Sequence, residues 1–215
     1  MNASMQLRFK PAAQPLLSVV VPVYNERAVL PLLHARLTAV LSGLPLRYEI
    51  VLVDDGSRDG SDIDMADLAA RVPHVRAVRL SRKFGKEAAL TAGIAHAKGD
   101  AVIVLDADLQ DPPELIPQMI EAWQAGADVV AMRRRTRAGE TAAKKFSAHL
   151  FYRLLNRVSA VDIPEDTGDF RLMSRKAVDA LAQLPERNRY MKGLFAWVGF
   201  RTTVVDYVRP ERAAG

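Results

Sequence analysis

Apolar and polar positions alternate between two regimes along this chain. Leu17-Ser18-Val19-Val20-Val21-Pro22 is a β-branched run halted by proline, which predicts a buried strand. A polar loop, Val23-Tyr24-Asn25-Glu26, then leads into Val29, Leu32, Leu33, Leu37, Val40 and Leu41, spaced for a helix. Gly43 and Pro45 end that helix, and Tyr48 to Val53 supplies a second strand. The pattern repeats: a helix over Asp62 to Arg71, a strand over Val75 to Leu80, and a helix opened by Ser81 to Glu87 and stopped by Gly99. A fourth strand, Val102 to Leu105, precedes Pro112 and Pro113, which suit the first turn of a helix reaching to about Trp123. Ala127 to Met132 reads as a fifth strand, Arg175 to Gln183 as a helix and Thr202 to Val208 as a last strand. Strands alternating with helices in this way predict an α/β fold built on an open, mostly parallel sheet.

Residues 15–215 are expected to form a single domain, with 1–14 as a loose leader lacking the apolar stretch of a secretory signal. With 49% hydrophobic residues the chain can bury a substantial core, yet no segment reaches the ~18 to 20 apolar residues of a membrane span. The absence of cysteine excludes disulfides, thiolate zinc sites and a cysteine nucleophile. The net charge of +5 is unevenly placed: Met132 to Arg157 carries eight basic residues against Glu140 alone. Such a block attracts phosphates, whether of nucleotides, nucleic acid or lipid headgroups. Much of it falls on a helix expected over 139–160, where Phe146, Leu150, Leu154 and Val158 recur every four residues with Lys144, Lys145, Arg153 and Arg157 between them. That helix would pack on the body, on another subunit or on a lipid surface. No aromatic-basic interleaving of an RNA-binding sheet is visible, which argues against nucleic acid.

The fourth strand leads into Asp106-Ala107-Asp108, two carboxylates two residues apart. Strand alternation would turn both to one side where the strand gives out, and two hard oxygen ligands suit Mg²⁺ or Mn²⁺ beside phosphates. By itself the pair is equally a phosphatase nucleophile motif or chance. Asp54-Asp55-Gly56-Ser57 follows the second strand and, taken alone, is an ordinary turn with Ser61 capping the next helix. Its place at the carboxyl end of a strand, where open α/β sheets bind ligands, makes it a second candidate. Arg82, Lys83 and Lys86 either approach a diphosphate at a helix start or are surface charges. Ile163 to Arg171 returns acid groups, among them Asp166 and Asp169, at an expected turn.

With these pieces in order, the chain resembles a GT-A fold glycosyltransferase of family 2, and within it the polyprenyl-phosphate glycosyltransferases. The resemblance covers about Leu17 to Arg212 and rests on four motifs: Val-Pro-Val-Tyr-Asn-Glu (21–26), Val-Asp-Asp-Gly-Ser (53–57), Asp-Ala-Asp-Leu-Gln-Asp-Pro-Pro (106–113) and Asp-Thr-Gly-Asp-Phe-Arg-Leu (166–172). It implies that Pro22, Tyr24, Glu26, Asp54, Asp55 and Ser57 hold the nucleotide, and that Asp106, Asp108 and Gln110 bind the metal. It also implies that Arg133 meets the diphosphate with Lys86 nearby, that Arg135 and Arg171 serve the acceptor phosphate, and that Asp169 acts as base or positioning group.

The implied reaction is inverting transfer of a hexose from a nucleotide sugar, UDP-glucose or a relative, to a polyprenyl phosphate. The alternatives are GDP-mannose as donor, a sugar-hydroxyl acceptor, or a non-catalytic nucleotide-sugar sensor. Members of this branch commonly continue into an amphipathic segment and membrane helices, whereas this chain stops at Gly215. Membrane attachment at the cytoplasmic face is therefore implied by kinship alone, and the helix over 139–160 with the aromatic Tyr190 to Phe200 stretch suits self-association.

Overall fold

The structure, a computed structural model, describes residues 14–134, 167–184 and 199–208. The helix expected over 139–160, Arg135 and most of the Tyr190 to Phe200 stretch lie outside those residues. The described elements run β1 (Leu16–Val23), α1 (Leu30–Leu41), β2 (Arg47–Asp54), α2 (Ser61–Arg71), β3 (Val75–Arg79), α3 (Lys86–His96) and β4 (Ala101–Val104). A 3₁₀ turn at Pro113–Leu115 opens into α4 (Ile116–Gln124), followed by β5 (Val129–Arg134), β6 (Thr167–Ser174), α5 (Arg175–Ala182) and β7 (Thr202–Tyr207).

The strands form one sheet in the order β3-β2-β1-β4-β6-β5-β7. Every neighbouring pair is parallel except those that involve β6, which runs antiparallel to β4 and β5. The central strands are buried on both faces, so they read as continuous apolar runs. On one face Leu33, Leu37 and Leu41 of α1, Met65 of α2 and Ile116 and Met119 of α4 pack against Val19, Val21, Ile103 and Phe170. On the other, Leu90 and Ile94 of α3 and Val178 and Leu181 of α5 cover Val20, Val51, Val102 and Met173. A Cβ at Gly93 would run into Val20 and Val53, so the absence of a side chain there sets how closely α3 lies on the sheet.

Four local expectations are revised. Thr167 to Arg171, part of the turn expected over Ile163 to Arg171, belongs to strand β6: Phe170 and Leu172 fill one face while Met173 fills the other, so burial on both sides overrides the turn signal of Gly-Asp. Ser61 is not the cap of α2. Gly60, at φ +93°, occupies that position, and the Ser61 hydroxyl instead donates to Asp59 and accepts the backbone N–H of Glu26. Leu32 is about half exposed, and Leu30 takes its place on the buried stripe of α1. Finally, β4 ends at Val104, so strand alternation does not orient Asp106 and Asp108; they lie in the turn beyond it.

Candidate active site

The carboxyl ends of β1, β2 and β4 and the start of antiparallel β6 share one rim of the sheet. Two loops are stitched together there first. The backbone N–H of Asn25 donates to the Ser57 hydroxyl (3.0 Å), and Asn25 Oδ1 accepts the N–H of Arg58 (2.8 Å). Asp54 Oδ1 accepts the N–H of Ser57 (2.9 Å), closing the turn after β2. Gly56, at φ +73°, brings this turn against the next loop, because a Cβ there would stand 2.6 Å from the backbone of Arg82 and Lys83. Asp55 then pins that loop, accepting the backbone N–H groups of Phe84 (2.7 Å) and Gly85 (2.9 Å). The result presents Lys83 over the Tyr24 ring, 3.8 Å from its centroid, and Lys86 at the first position of α3.

Lys86 organises the site's charge. Its ammonium lies 2.6 Å from Asp106 Oδ1 and 2.6 Å from Asp169 Oδ2, joining the turn after β4 to strand β6. Burial alone would lower the lysine pKa, but the two carboxylates outweigh it and hold the group above its ordinary range. Asp108 Oδ1 accepts the N–H of Gln110 (3.0 Å), and the intervening Leu109 is left-handed at φ +59° although it is almost fully buried. This turn, in place of strand pleating, sets where the two aspartates face. A cavity of about 310 Å³ opens between the loops, lined among others by Tyr24, Glu26, Asp55, Lys86, Asp106 and Asp108.

Of the residues expected to act, Pro22 also lines this cavity, and Asp169 reaches it through Lys86. Asp54 and Ser57 are buried in the loop framework. Arg133 points elsewhere, bound through both Nε and Nη2 to the Asp206 carboxylate at 2.7 and 3.2 Å. Arg171 is only 4% exposed, and its guanidinium donates to the carbonyls of Gly168 (2.7 Å) and Asp169 (3.4 Å); burial pushes its pKa down to about 10. An arginine so placed braces the start of β6 and does not open to an acceptor. Gln110 contributes its backbone to the Asp108 turn.

Three further residues near the site have no role that their sequence motifs assign: Asp111, Arg134 and Tyr207. Arg134 Nε lies 3.3 Å from the Tyr207 oxygen, and the Tyr207 hydroxyl donates to Asp111 (2.9 Å). Burial and the neighbouring Asp111 push the Tyr207 phenol up to about 12. The available signal was strand parity, since alternation on β5 puts Arg134 on the face of Met132 and sends Arg133 to the other.

Among the described residues, no group of three or more His, Asp or Glu side chains surrounds a common point as a finished metal cage. The carboxylates present nevertheless fit a hard divalent ion, which is usually held by one or two carboxylates and completed by substrate phosphates and water. Asp106 Oδ1 already takes the Lys86 ammonium, so this oxygen is presented to a cation.

The profile of glycosyl transferase family 2 matches residues 18–182. The chain belongs to this family. Over 199 residues it is 52% identical to an uncharacterized glycosyltransferase of Synechocystis sp., covering 93% of this chain and 63% of that protein. It is 48% identical to the bactoprenol glucosyl transferase of Shigella phage SfV, covering 93% of this chain and 65% of that one. The prophage bactoprenol glucosyl transferase homolog of Escherichia coli is 46% identical with the same coverage. The chain thus spans somewhat less than two thirds of the length of these relatives.

Family 2 membership agrees with the fold. The glucosyl-3-phosphoglycerate synthase of Mycobacterium tuberculosis, solved with Mn²⁺, UDP and phosphoglyceric acid, superposes with a TM-score of 0.63 at 22% identity, covering 94% of this chain and 72% of that one. A mannosyltransferase of Pyrobaculum calidifontis, solved with GDP-Man and Mn²⁺, gives 0.60 at 21% identity, covering 94% and 59%. The expected GT-A sheet is therefore present. Among the described residues no helix is long and apolar enough to cross a membrane.

Proposed function

We propose that this family 2 chain transfers a hexose, with inversion, from a nucleotide sugar to a polyprenyl phosphate. The observation that carries the reading is the meeting of Asp106 and Asp169 on one ammonium that lines the cavity. A carboxylate suited to the donor's metal and one suited to an acceptor thereby stand side by side. The bactoprenol glucosyl transferases among its relatives support a lipid phosphate as acceptor and glucose as the sugar; UDP is the carrier taken in this proposal, with GDP as its alternative.

In this scheme Tyr24, Glu26 and Asp55, with Pro22 behind them, border the nucleotide, while Asp54 and Ser57 hold the loop that shapes its pocket. Asp106 and Asp108, with Gln110 at the same turn, would hold Mg²⁺ or Mn²⁺. When bound, that ion would neutralise the charge that grows on the leaving diphosphate. Lys86 lies within the same cavity and adds a second positive charge beside those oxygens.

The acceptor needs little activation. A phosphate monoester with a second pKa of about 6 is already largely dianionic at neutral pH, whereas a sugar hydroxyl would require a general base. Asp169 therefore serves chiefly to position the acceptor and take a residual proton, held in place through Lys86. Arg133, should it leave Asp206, and Arg135 remain candidates for phosphate contacts, and the basic residues of 139–160 for an anionic membrane surface.

The test is release of nucleoside diphosphate from a panel of UDP- and GDP-sugars with Mg²⁺ or Mn²⁺. Metal-dependent release on adding undecaprenyl phosphate supports the proposal. Release only with sugar acceptors would assign a hydroxyl-glycosylating transferase, and tight donor binding without release would assign a sensor.

A further inference from the structure

Tyr207, at the end of β7, is 4% exposed and connects two parts of the site. Its hydroxyl donates to Asp111 Oδ1 at 2.9 Å. The other oxygen of Asp111, itself 1% exposed, accepts the backbone N–H of Asp106 at 3.2 Å. Arg134 Nε, 3.3 Å from the Tyr207 oxygen, completes a chain from β5 through β7 to the main chain of Asp106. The ring of Tyr207 also stands edge-on against Phe170, with centroids 5.9 Å apart at 86°. Phe170 follows Asp169 directly, so one buried tyrosine touches both the turn that carries Asp106 and the strand that carries Asp169.

Packing alone does not account for this arrangement. A buried tyrosine hydroxyl needs an acceptor, but a backbone carbonyl would satisfy it at lower cost than a carboxylate withdrawn from water. Here the acceptor is a carboxylate close to another, Asp106, and it grips the peptide of that same residue. Partners behind a metal ligand commonly set its orientation, and their loss typically weakens metal affinity or activity 10- to 100-fold.

We propose that Asp111, Tyr207 and Arg134 are positioning residues that fix the Asp106 main chain for the metal and diphosphate, and that the Tyr207–Phe170 contact ties this setting to Asp169. The proposal rests on the transferase reading above. The test measures Mn²⁺ affinity in the presence of UDP by electron paramagnetic resonance, alongside kcat and KM, for the whole chain and two variants. Tyr207→Phe removes the hydroxyl and keeps the ring on Phe170. Asp111→Asn can keep the tyrosine bond, but its amide nitrogen would then face the Asp106 N–H as donor against donor.

Both variants are expected to weaken Mn²⁺ binding and to lower kcat about 10-fold, leaving KM for the lipid phosphate and the far-UV circular dichroism unchanged. Wild-type Mn²⁺ affinity and kcat in a folded Tyr207→Phe or Asp111→Asn protein would overturn the proposal. Equal loss in KM and kcat that follows the melting temperature would do so too, since that marks a purely structural role. Failure of the unaltered chain to bind Mn²⁺ with either UDP or GDP would instead overturn the transferase reading and the proposal with it.

Discussion

Replacing Lys86 by Met keeps a long stem and deletes the charge shared by Asp106 and Asp169. Each carboxylate oxygen lies 2.6 Å from the ammonium, so the two oxygens are at most about 5 Å apart. At an effective dielectric constant of about 20, two negative charges at that distance repel by about 3 kcal/mol. The Lys86 side chain is 42% exposed and the cavity admits water, so screening reduces the expected loss to about 1–2 kcal/mol. For a chain of this size that is a fall in melting temperature of about 2–8 °C. A divalent ion should replace the missing charge, so Mn²⁺ should raise the melting temperature of Lys86→Met by more than it raises that of the unaltered chain. A thermal-shift series in Mn²⁺ reads both quantities. A variant that melts with the unaltered chain, or that gains no more from Mn²⁺, would refute this account of Lys86 as the site's counter-ion.

Further outcomes follow from the same structure. Asp106→Asn and Asp108→Asn should each lower kcat by about 10²- to 10³-fold in a nucleoside diphosphate release assay, on the scale of losing one group that stabilises developing charge. Gly56→Ala meets a positive φ and the backbone of Arg82 and Lys83, and chemical denaturation should show a loss of at least ~1 kcal/mol together with weaker donor binding. Glu114 is held below its ordinary pKa by the Arg36 guanidinium, which donates to it at 2.6 and 2.9 Å. A carboxylate with a depressed folded-state pKa contributes stability above its unfolded value of 4.5 and loses it as pH falls through the folded value. Arg36→Met should therefore cost up to ~1 kcal/mol at neutral pH in urea denaturation, with the difference closing as the medium is acidified below that range.

The sheet was legible because its central strands are unbroken apolar runs that end in polar loops. Val19 to Val21 and Val102 to Leu105 carry that signal without help from partners far along the chain. Strand β6 was not legible in the same way. Thr167-Gly168-Asp169 has the composition of a turn, and it joins a strand through the pairing of Thr167 with β5 and of Arg171 onward with β4 and β5, a long-range effect that local pattern does not register. The aspartate motifs lie on the rim where the cavity opens, yet strand spacing is not what orients them. Asp106 and Asp108 face the cavity through a left-handed Leu109 and an aspartate-capped turn, which spacing alone does not specify. Arg133 and Arg134 show the limit most clearly. Two adjacent arginines look alike in sequence, and strand parity directs the first to Asp206 and the second to Tyr207. The Asp111–Tyr207 bond spans 96 positions, so neither residue announces the other.

The most direct test of the central claim follows the sugar itself. UDP-glucose labelled in the hexose is incubated with the chain, Mn²⁺ or Mg²⁺ and undecaprenyl phosphate in detergent, and the label is measured in the lipid phase. The account predicts metal-dependent, mild-acid-labile label in the lipid with one UDP released per hexose, abolished by Asp106→Asn. Label that stays in water, or that passes only to a sugar hydroxyl for every donor in the UDP and GDP series, would contradict it.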